Sequence, residues 1–270
     1  MEERLGNFTG ARDLFSASLR IEPSAPTLVA YAMLEIRDPE DGKRRNLTKV
    51  AGLFEEALLL DPRHGPAYNA YGNMELRRNR ILEARQIYKR GILAKCSDAA
   101  SVFHGLARLE ISVGNVEMAR KILMEGLKEV QYVGMMENKQ HSRAAFLAHT
   151  LGMLELKSNS AANAKKVFDD AIKTHGYSSQ LLLGAALCEV KLGNEDAARR
   201  LFEKSVNLDK KHAQAWQSWG VMEMRAGNYN TAKTLFECGI QSVPKHGALW
   251  QAYGEYNDYD TFCIFPYFER

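Results

Sequence analysis

Five basic residues recur at one position of a repeating pattern, and their chemistry suits contacts with phosphate groups. Each stands two residues after a recurring glutamate, and Ser112 occupies the same position in one further repeat. Cations spaced along one surface can position the backbone of a nucleic acid, because phosphate contacts dominate its affinity. We therefore predict RNA-backbone contacts at Arg37, Arg77, Lys157, Lys191 and Arg225.

A second row of polar side chains stands six residues before the same glutamate, or before Asn257, which replaces it in the last unit. Amide and imidazole groups can hydrogen-bond to the edges of unpaired bases. We therefore predict base contacts at Asn69, His104, His149, Gln217 and Gln251, with Val29 and Leu183 interrupting the row. The alternative is that both rows form a solvent-exposed helix face without a ligand, because the helix dipole alone favours Lys and Arg near helix C-termini.

The recurring glutamates need partners of their own. They are Glu35, Glu75, Glu110, Glu155, Glu189 and Glu223. Each lies on an apolar stripe and should be buried, and a buried carboxylate is costly unless it is paired. A cation recurs ten residues later, at the margin of the next stripe, which predicts pairs within or between repeats. The predicted partners are Glu75 with Arg85, Glu110 with Arg120, Glu189 with Arg199, and Glu223 with Lys233. In the alternative interpretation these cations face RNA.

No catalytic motif accompanies these residues. The sequence contains no glycine-rich phosphate loop, no G-x-S-x-G and no H-E-x-x-H. Its four cysteines lie far apart, which is typical of reduced thiols and not of a disulfide or zinc framework. We predict a protein that is not an enzyme and needs no metal or cofactor.

The residues around each glutamate indicate the helix that positions it. Large apolar residues stand seven and four residues before it, as Tyr68 and Tyr71 do before Glu75. A small residue stands three before it in every repeat. These offsets form one face of an α-helix, and the small residue lets a neighbouring helix approach closely.

A second helix should follow after a tight turn. Four residues after the glutamate stand types that accept the left-handed backbone conformation, namely Asn79, Gly114, Asn159, Gly193 and Gly227. The next position holds residues that favour helix N-caps, namely Asn115, Ser160, Asn194 and Asn228. The second helix then carries its own apolar stripe. Successive glutamates from Glu155 to Glu223 are 34 residues apart, so the unit is a 34-residue hairpin.

Such a hairpin cannot bury its own faces and must stack on its neighbours. We therefore predict an all-α fold, a right-handed α-solenoid of stacked antiparallel helical hairpins. One array should cover residues 1–260, with about six full hairpins between partial units, followed by an atypical aromatic tail at 261–270. The partial units would expose apolar faces, which offers a route to self-association. Insertions at 38–46 and 131–141 are predicted to be loops or helix extensions.

Composition excludes several classes of protein. The 270 residues are 46% hydrophobic and 26% charged, which argues against disorder. A net charge of +3 is too small to identify a nucleic-acid partner, so any basic surface must be local. No apolar run approaches about 18 residues, which predicts no membrane span. The first residues resemble neither a secretory signal nor a transit peptide.

The chain resembles two related repeat families. The small residue, the glycine and the closing proline resemble the tetratricopeptide repeat (TPR). The glutamate of the first helix and the Ala-Arg/Lys–aliphatic–aromatic run of the second are more similar to the half-a-TPR (HAT) repeat. Two segments carry this likeness most clearly, AYNAYGNMELRRNRILEARQIYKRGI and AWQSWGVMEMRAGNYNTAKTLFECGIQSVP. Among HAT proteins, the contiguous units are most similar to chloroplast factors that stabilise photosystem transcripts.

The resemblance implies a role in RNA processing, since HAT proteins include splicing factors and cleavage-stimulation subunits. We therefore predict a non-catalytic protein that binds single-stranded RNA along the surface formed by the first helices. The alternative is a TPR-like protein–protein scaffold within an RNA-processing complex. A chloroplast location follows from the closest resemblance and a nuclear one from the wider family. A fold of this type hosts both RNA binders and protein scaffolds.

Overall fold

A computed structural model describes residues 7–37, 47–137 and 141–264, which form fourteen α-helices and no strands. The helices from the N-terminus are α1 (Phe8–Ile21), α2 (Ala25–Arg37), α3 (Leu47–Leu60), α4 (Gly65–Arg77), α5 (Ile81–Leu93), α6 (Ala99–Ser112) and α7 (Val116–Glu137). They continue as α8 (His141–Lys157), α9 (Ala161–His175), α10 (Ser179–Lys191), α11 (Glu195–Leu208), α12 (Ala213–Arg225), α13 (Tyr229–Ser242) and α14 (Gly247–Ile264). The predicted all-α solenoid of helical hairpins is confirmed.

The chain divides into two compact units, Met1–Leu147 and Ala148–Arg270, with the boundary inside α8. In unit 1, α2 packs on α3, α4 on α5, and α6 on α7. In unit 2, α10 packs on α11 and α12 on α13. Within each unit, the first helices of neighbouring hairpins also contact one another, as α4 and α6 do and as α10 and α12 do. We call the interface between one hairpin and the next a seam.

The turn inside each hairpin has the predicted backbone. Asn79, Gly114, Asn159, Gly193 and Gly227 all have positive φ, between 60° and 83°. The next residue donates its N–H to the carbonyl of the glutamate five positions earlier, over 2.8–3.0 Å. This six-residue closure satisfies a carbonyl that the helix end would otherwise leave unpaired. One detail differs, because Asn194 and Asn228 occupy the N-cap without capping through their side chains.

An aromatic ring of the second helix packs against two glycines, one three residues before the glutamate of its own hairpin and one five residues before the glutamate of the next. Tyr88 of α5 is fully buried between Gly72 of its own hairpin and Gly105 of the next. A Cβ atom at either glycine would lie 2.5 Å from the ring, closer than real contacts allow. In unit 2, Phe168 has the same relation to two glycines, Gly152 and Gly184. Each such ring therefore fixes how closely two first helices approach.

Two predictions concern segments at the limits of the described chain. The insertion at 131–141 begins as an extension of α7, which continues to Glu137. The insertion at 38–46 lies outside the described residues. Within the predicted tail, α14 continues to Ile264, and 265–270 also lie outside them.

No helix in the described ranges has both the length and the apolar character required to cross a bilayer.

Candidate binding grooves and their supporting seams

Five of the six recurring glutamates are buried, as predicted, and Glu35 is half-buried. Glu75, Glu110, Glu155, Glu189 and Glu223 expose between 2% and 6% of their surface. Glu110 shows how such a carboxylate is satisfied. It accepts hydrogen bonds from the guanidinium of Arg85, at 2.6 and 3.1 Å, and from Asn115 Nδ2 at 2.8 Å. Asn194 and Asn228 donate in the same way to the glutamates of their own hairpins, at 2.8 and 2.7 Å. These three side chains therefore bind a buried anion, and those of Asn194 and Asn228 do not cap the second helix.

Four of the glutamates pair with a cation from the preceding hairpin, and Glu35 is bonded by Lys49 of its own hairpin as well, at 2.7 Å. The second helix of the preceding hairpin lies against the first helix of the next hairpin, and the charged side chains meet across the seam. The pairs are Arg12–Glu35 at 3.2 Å, Arg85–Glu110 at 2.6 Å, Lys165–Glu189 at 2.6 Å and Arg199–Glu223 at 2.8 Å. In each pair the two residues are 23 to 25 positions apart.

The predicted partners are therefore wrong by one repeat. Arg85 contacts Glu110 and not Glu75, and Arg199 contacts Glu223 and not Glu189. Arg120 contacts Glu117 of its own helix, and Lys233 is exposed on α13. The physical reason is geometric. A second helix packs against two first helices, and the cation lies on the side that faces the later one.

These pairs keep the carboxylates ionised at neutral pH. Burial alone would raise the pKa of Glu110, but hydrogen bonds from Arg85 and Asn115 outweigh it, and the net pKa is lowered. The pKa of Glu223 is lowered in the same way, against the effect of burial, by Arg199, Asn228 and Trp219.

One seam of unit 1 is built differently. Ala51 of α3 stands where Arg85 stands in α5, so that residue supplies no cation to Glu75. Glu75 is bonded instead by Arg78 of its own hairpin, at 2.8 Å. The ion pair that connects these two hairpins is exposed to solvent. Arg90 makes a bidentate ion pair with Glu55 at 2.9 and 3.0 Å.

The first helices of unit 1 form a groove of about 590 Å³. Its apolar lining includes Met33, Ile36, Leu47, Ala70 and Met74. Its polar lining consists of Asn69, Asn73, Arg77, Arg78, Arg108 and one acidic residue, Asp98. The structure thus brings together one predicted backbone contact, Arg77, and one predicted base contact, Asn69.

A smaller groove of about 430 Å³ lies between α10 and α12 of unit 2. It brings Gln217 and Arg225 together beside the apolar side chains of Leu187, Val190 and Val221. Thus the two predicted rows share a groove once in each unit. In both grooves the described lining contains no aromatic side chain.

The other predicted cations lie outside these two grooves. Arg37 and Lys157 are exposed at the C-terminal ends of α2 and α8. The ammonium group of Lys191 donates to the carbonyl of Leu156 at 2.8 Å, so it closes the end of the neighbouring first helix.

The other predicted base contacts are engaged within the protein. His104 lies against Phe146, with ring centroids 4.3 Å apart. His149 packs edge-on against Phe168, and burial lowers its pKa, so its imidazole is neutral at pH 7. Gln251 donates to Glu255 at 3.1 Å.

Asn73 and Arg108 are candidate contact residues that the two predicted rows do not include. Both stand two residues before a recurring glutamate, on the ridge that joins the two rows at i, i+4 and i+8. Asn73 donates to the backbone carbonyl and the side-chain oxygen of Asn69, at 2.8 and 2.9 Å. Arg108 is exposed and supplies the cation of the one repeat that has Ser112 in the cationic row. Their position on this ridge, four residues after the polar row and four before the cationic row, is the sequence feature that identifies them.

Comparison with known proteins agrees with this architecture. Residues 149–218 match the tetratricopeptide repeat family. The fold is TPR-like. Comparison with curated proteins finds none that matches the sequence.

Solved TPR-like structures resemble nearly the whole chain. Yeast Tom70 has a TM-score of 0.68 at 17% identity, over 96% of this chain and 52% of that one. A tetratricopeptide repeat protein from Parabacteroides merdae ATCC 43184 has a TM-score of 0.57 at 14% identity, over 94% of both chains. The APC/C hetero-tetramer Cut9–Hcn1 has a TM-score of 0.58 at 13% identity, over 94% of this chain and 47% of that one. The chain therefore spans about half the length of the Tom70 and Cut9–Hcn1 chains, and at these identities the likeness establishes the fold.

Proposed function

We propose that the protein is a non-catalytic scaffold that binds an extended, acidic segment of a partner protein. The segment lies along the first helices, and the groove of unit 1 makes the main contact. The observation that carries this proposal is the combination of an apolar floor with two amides and two exposed arginines in that groove.

Each part of the groove has a role in holding such a segment. Met33, Ile36 and Met74 can bury apolar side chains of the ligand. The amide of Asn69 and the side-chain oxygen of Asn73 offer a donor and an acceptor to its backbone. Arg77 and Arg108 can bind its carboxylates, since guanidinium groups bind carboxylates through two parallel hydrogen bonds.

Single-stranded RNA is the second candidate, and the exposed cations of the first-helix face favour it. Arg77, Lys157 and Arg225 could contact phosphates, and Asn69 or Gln217 could contact bases. This candidate carries with it the RNA-processing role that the HAT resemblance implies. The composition of the grooves ranks it second, because proteins that bind single strands usually stack bases on aromatic side chains.

Selection of peptides from a random display library on the purified full chain tests the proposal. We expect enriched peptides to contain apolar residues next to Asp or Glu. The Arg77→Ala/Arg108→Ala variant should weaken the affinity for such a peptide by about tenfold or more. The matched control is Arg200→Ala, which removes an exposed cation from the second helix α11.

The same protein should be titrated with uridine 20-mer RNA at two salt concentrations. Failure to enrich acidic peptides, together with RNA binding that weakens by a log–log slope of about −0.7 per phosphate, would favour the second candidate. Equal affinities of the Arg77→Ala/Arg108→Ala and Arg200→Ala variants for the selected peptide would place the binding site elsewhere.

A further inference from the structure

A cleft opens on the opposite side of unit 1, between the second helices α5 and α7. Its volume is about 880 Å³, which exceeds that of either groove on the first helices. Ile92 and Leu93 of α5 line one wall, and Met118 and Ile122 of α7 line the other. Such a volume lies within the roughly 300–1,000 Å³ range typical of ligand sites.

The floor of the cleft is part of the core of unit 1. Phe103 and Leu106 of α6 line it, and they belong to the apolar stripe that ends at Glu110. Phe103 and Leu106 are themselves buried, with 2% and 3% of their surface exposed, so they form the base of the cleft. A ligand in the cleft would make its apolar contacts mainly with the exposed side chains of the two walls.

The second helices of unit 1 also expose large apolar side chains around the cleft. Leu93 exposes 83% of its surface and Met118 exposes 50%. Leu82 of α5 and Met124 of α7 are also exposed, outside the lining of the cleft. Exposed apolar side chains on the two walls of one cleft mark an interaction surface more often than scattered single residues do.

The charges at the rim indicate the electrostatic character of the partner. Glu110 and Glu117 are neutralised by Arg85 and Arg120 respectively. Lys89 and Lys121 are exposed, and neither forms a salt bridge within the described ranges. Since Glu125 is the remaining acid of the described lining, two ammonium groups face one carboxylate. The rim therefore complements an acidic partner.

The walls have the geometry of helix packing. On α5 the lining residues Arg85, Lys89 and Ile92 recur at i, i+4 and i+7, and on α7 Met118, Ile122 and Glu125 recur in the same way. Each wall is thus one face of a helix, and a third helix can pack its ridge between two such faces. We propose that this cleft binds an amphipathic helix of a partner protein, whose apolar stripe fills the cleft and whose flanking carboxylates contact Lys89 and Lys121.

Two synthetic peptides of equal length can test the cleft on the full-length chain. Both carry leucines at i, i+3, i+4 and i+7 on one helical face; one has glutamates beside this stripe and the other has lysines. At low salt we expect the glutamate peptide to bind about tenfold more tightly. The lysine peptide serves as the control for apolar attraction alone.

Three variants locate the binding. Leu93→Ser should weaken the affinity for the glutamate peptide by about tenfold without changing unfolding in urea, because Leu93 contributes little buried surface to the fold. Leu208→Ser is its matched control, since it removes a leucine that is 55% exposed on α11 of unit 2, and it should bind as the unchanged protein does. Lys89→Glu/Lys121→Glu should reverse the preference between the two peptides.

Equal binding of the two peptides would overturn the proposal, as would equal losses in Leu93→Ser and Leu208→Ser. Binding of the glutamate peptide that Arg77→Ala/Arg108→Ala abolishes and Leu93→Ser leaves intact would also overturn it, because that result assigns the peptide to the groove of the first helices.

Discussion

Between α5 and α6, Arg85 of one hairpin reaches the buried carboxylate of Glu110 in the next, whereas between α3 and α4 the equivalent position is Ala51. At the α3–α4 seam Arg78 of the same hairpin bonds one carboxylate oxygen of Glu75, and the other oxygen, Oε2, is buried without a hydrogen-bond partner among the described residues. The contact between hairpins passes instead to Glu55 and Arg90, whose side chains are nearly half exposed. A shielded ion pair thus joins one pair of hairpins and a solvated one joins the other.

The repeat pattern therefore determines that the glutamate is buried, but it does not determine how strongly the ion pair beside it connects two hairpins. Exposed ion pairs typically contribute 0–1 kcal/mol and are screened by salt, about 8 Å being the screening length at physiological ionic strength. Loss of one partner from a buried pair costs far more, because the remaining charge stays without compensation. The α3–α4 seam should therefore be the weaker electrostatic connection within unit 1.

The largest expected effect is the loss of the shielded pair. Arg85→Ala leaves Glu110 buried with Asn115 as its remaining side-chain donor. We expect the free energy of unfolding to fall by about 2–3 kcal/mol, below the usual cost of breaking a buried pair because Arg85 itself is 25% exposed. Urea denaturation followed by circular dichroism measures this loss.

The control for that variant is Arg90→Ala, which removes the exposed pair. Its cost should stay under about 1 kcal/mol and should shrink further in 1 M NaCl, whereas the cost of Arg85→Ala should persist there. If the two variants lost the same free energy at both salt concentrations, the distinction between the seams would be wrong.

Acid should weaken the shielded seam next. The folded pKa of Glu110 is lowered from its ordinary value of 4.5, so the unfolded chain takes up the proton first. The stabilisation is therefore complete above about pH 4.5 and is lost as the pH falls toward the folded pKa. Glu110→Gln should flatten the dependence of unfolding free energy on pH in this window. An unchanged slope between pH 5 and 3 would show that the pKa of Glu110 is the same in both states.

The smallest effect is a gain in stability. Tyr88, in the α5–α6 seam, buries a hydroxyl that has no hydrogen-bond partner among the described residues, while the corresponding residue of α3 is Phe54. Tyr88→Phe removes this unsatisfied group and should raise the free energy of unfolding by about 1 kcal/mol. Phe54→Tyr is the reciprocal variant and should lose stability. A destabilised Tyr88→Phe protein would indicate a partner for the hydroxyl, such as an ordered water.

The architecture could be predicted because its causes are local in sequence. The period of the apolar stripe, the left-handed residues of the turn and the small residue three before the glutamate each depend on one hairpin alone. The sequence does not predict which glutamate each cation pairs with. Arg85 lies within reach of the first helices on both sides, and periodicity does not distinguish them.

The candidate sites show the same division. The cationic and polar rows can be predicted because they recur at fixed positions of the repeat. The apolar floor of the unit 1 groove cannot, because its residues come from separate helices, as Met33, Leu47 and Ala70 do. From the sequence, Asn115 is predicted to cap a helix, because asparagine favours that position. In the fold a buried carboxylate lies within its reach, and a charged acceptor forms the stronger hydrogen bond.

The ring of Tyr88 has a consequence for how such a chain can be lengthened or recombined. One of the two glycines that receive it lies in the same hairpin, but the other, Gly105, belongs to the hairpin that follows. A copied or transplanted hairpin would therefore keep its ring and depend on its new successor for the matching glycine. Gly184 stands at the position of Gly105 in its own hairpin, so the order of the hairpins is limited to successors that carry a small residue there.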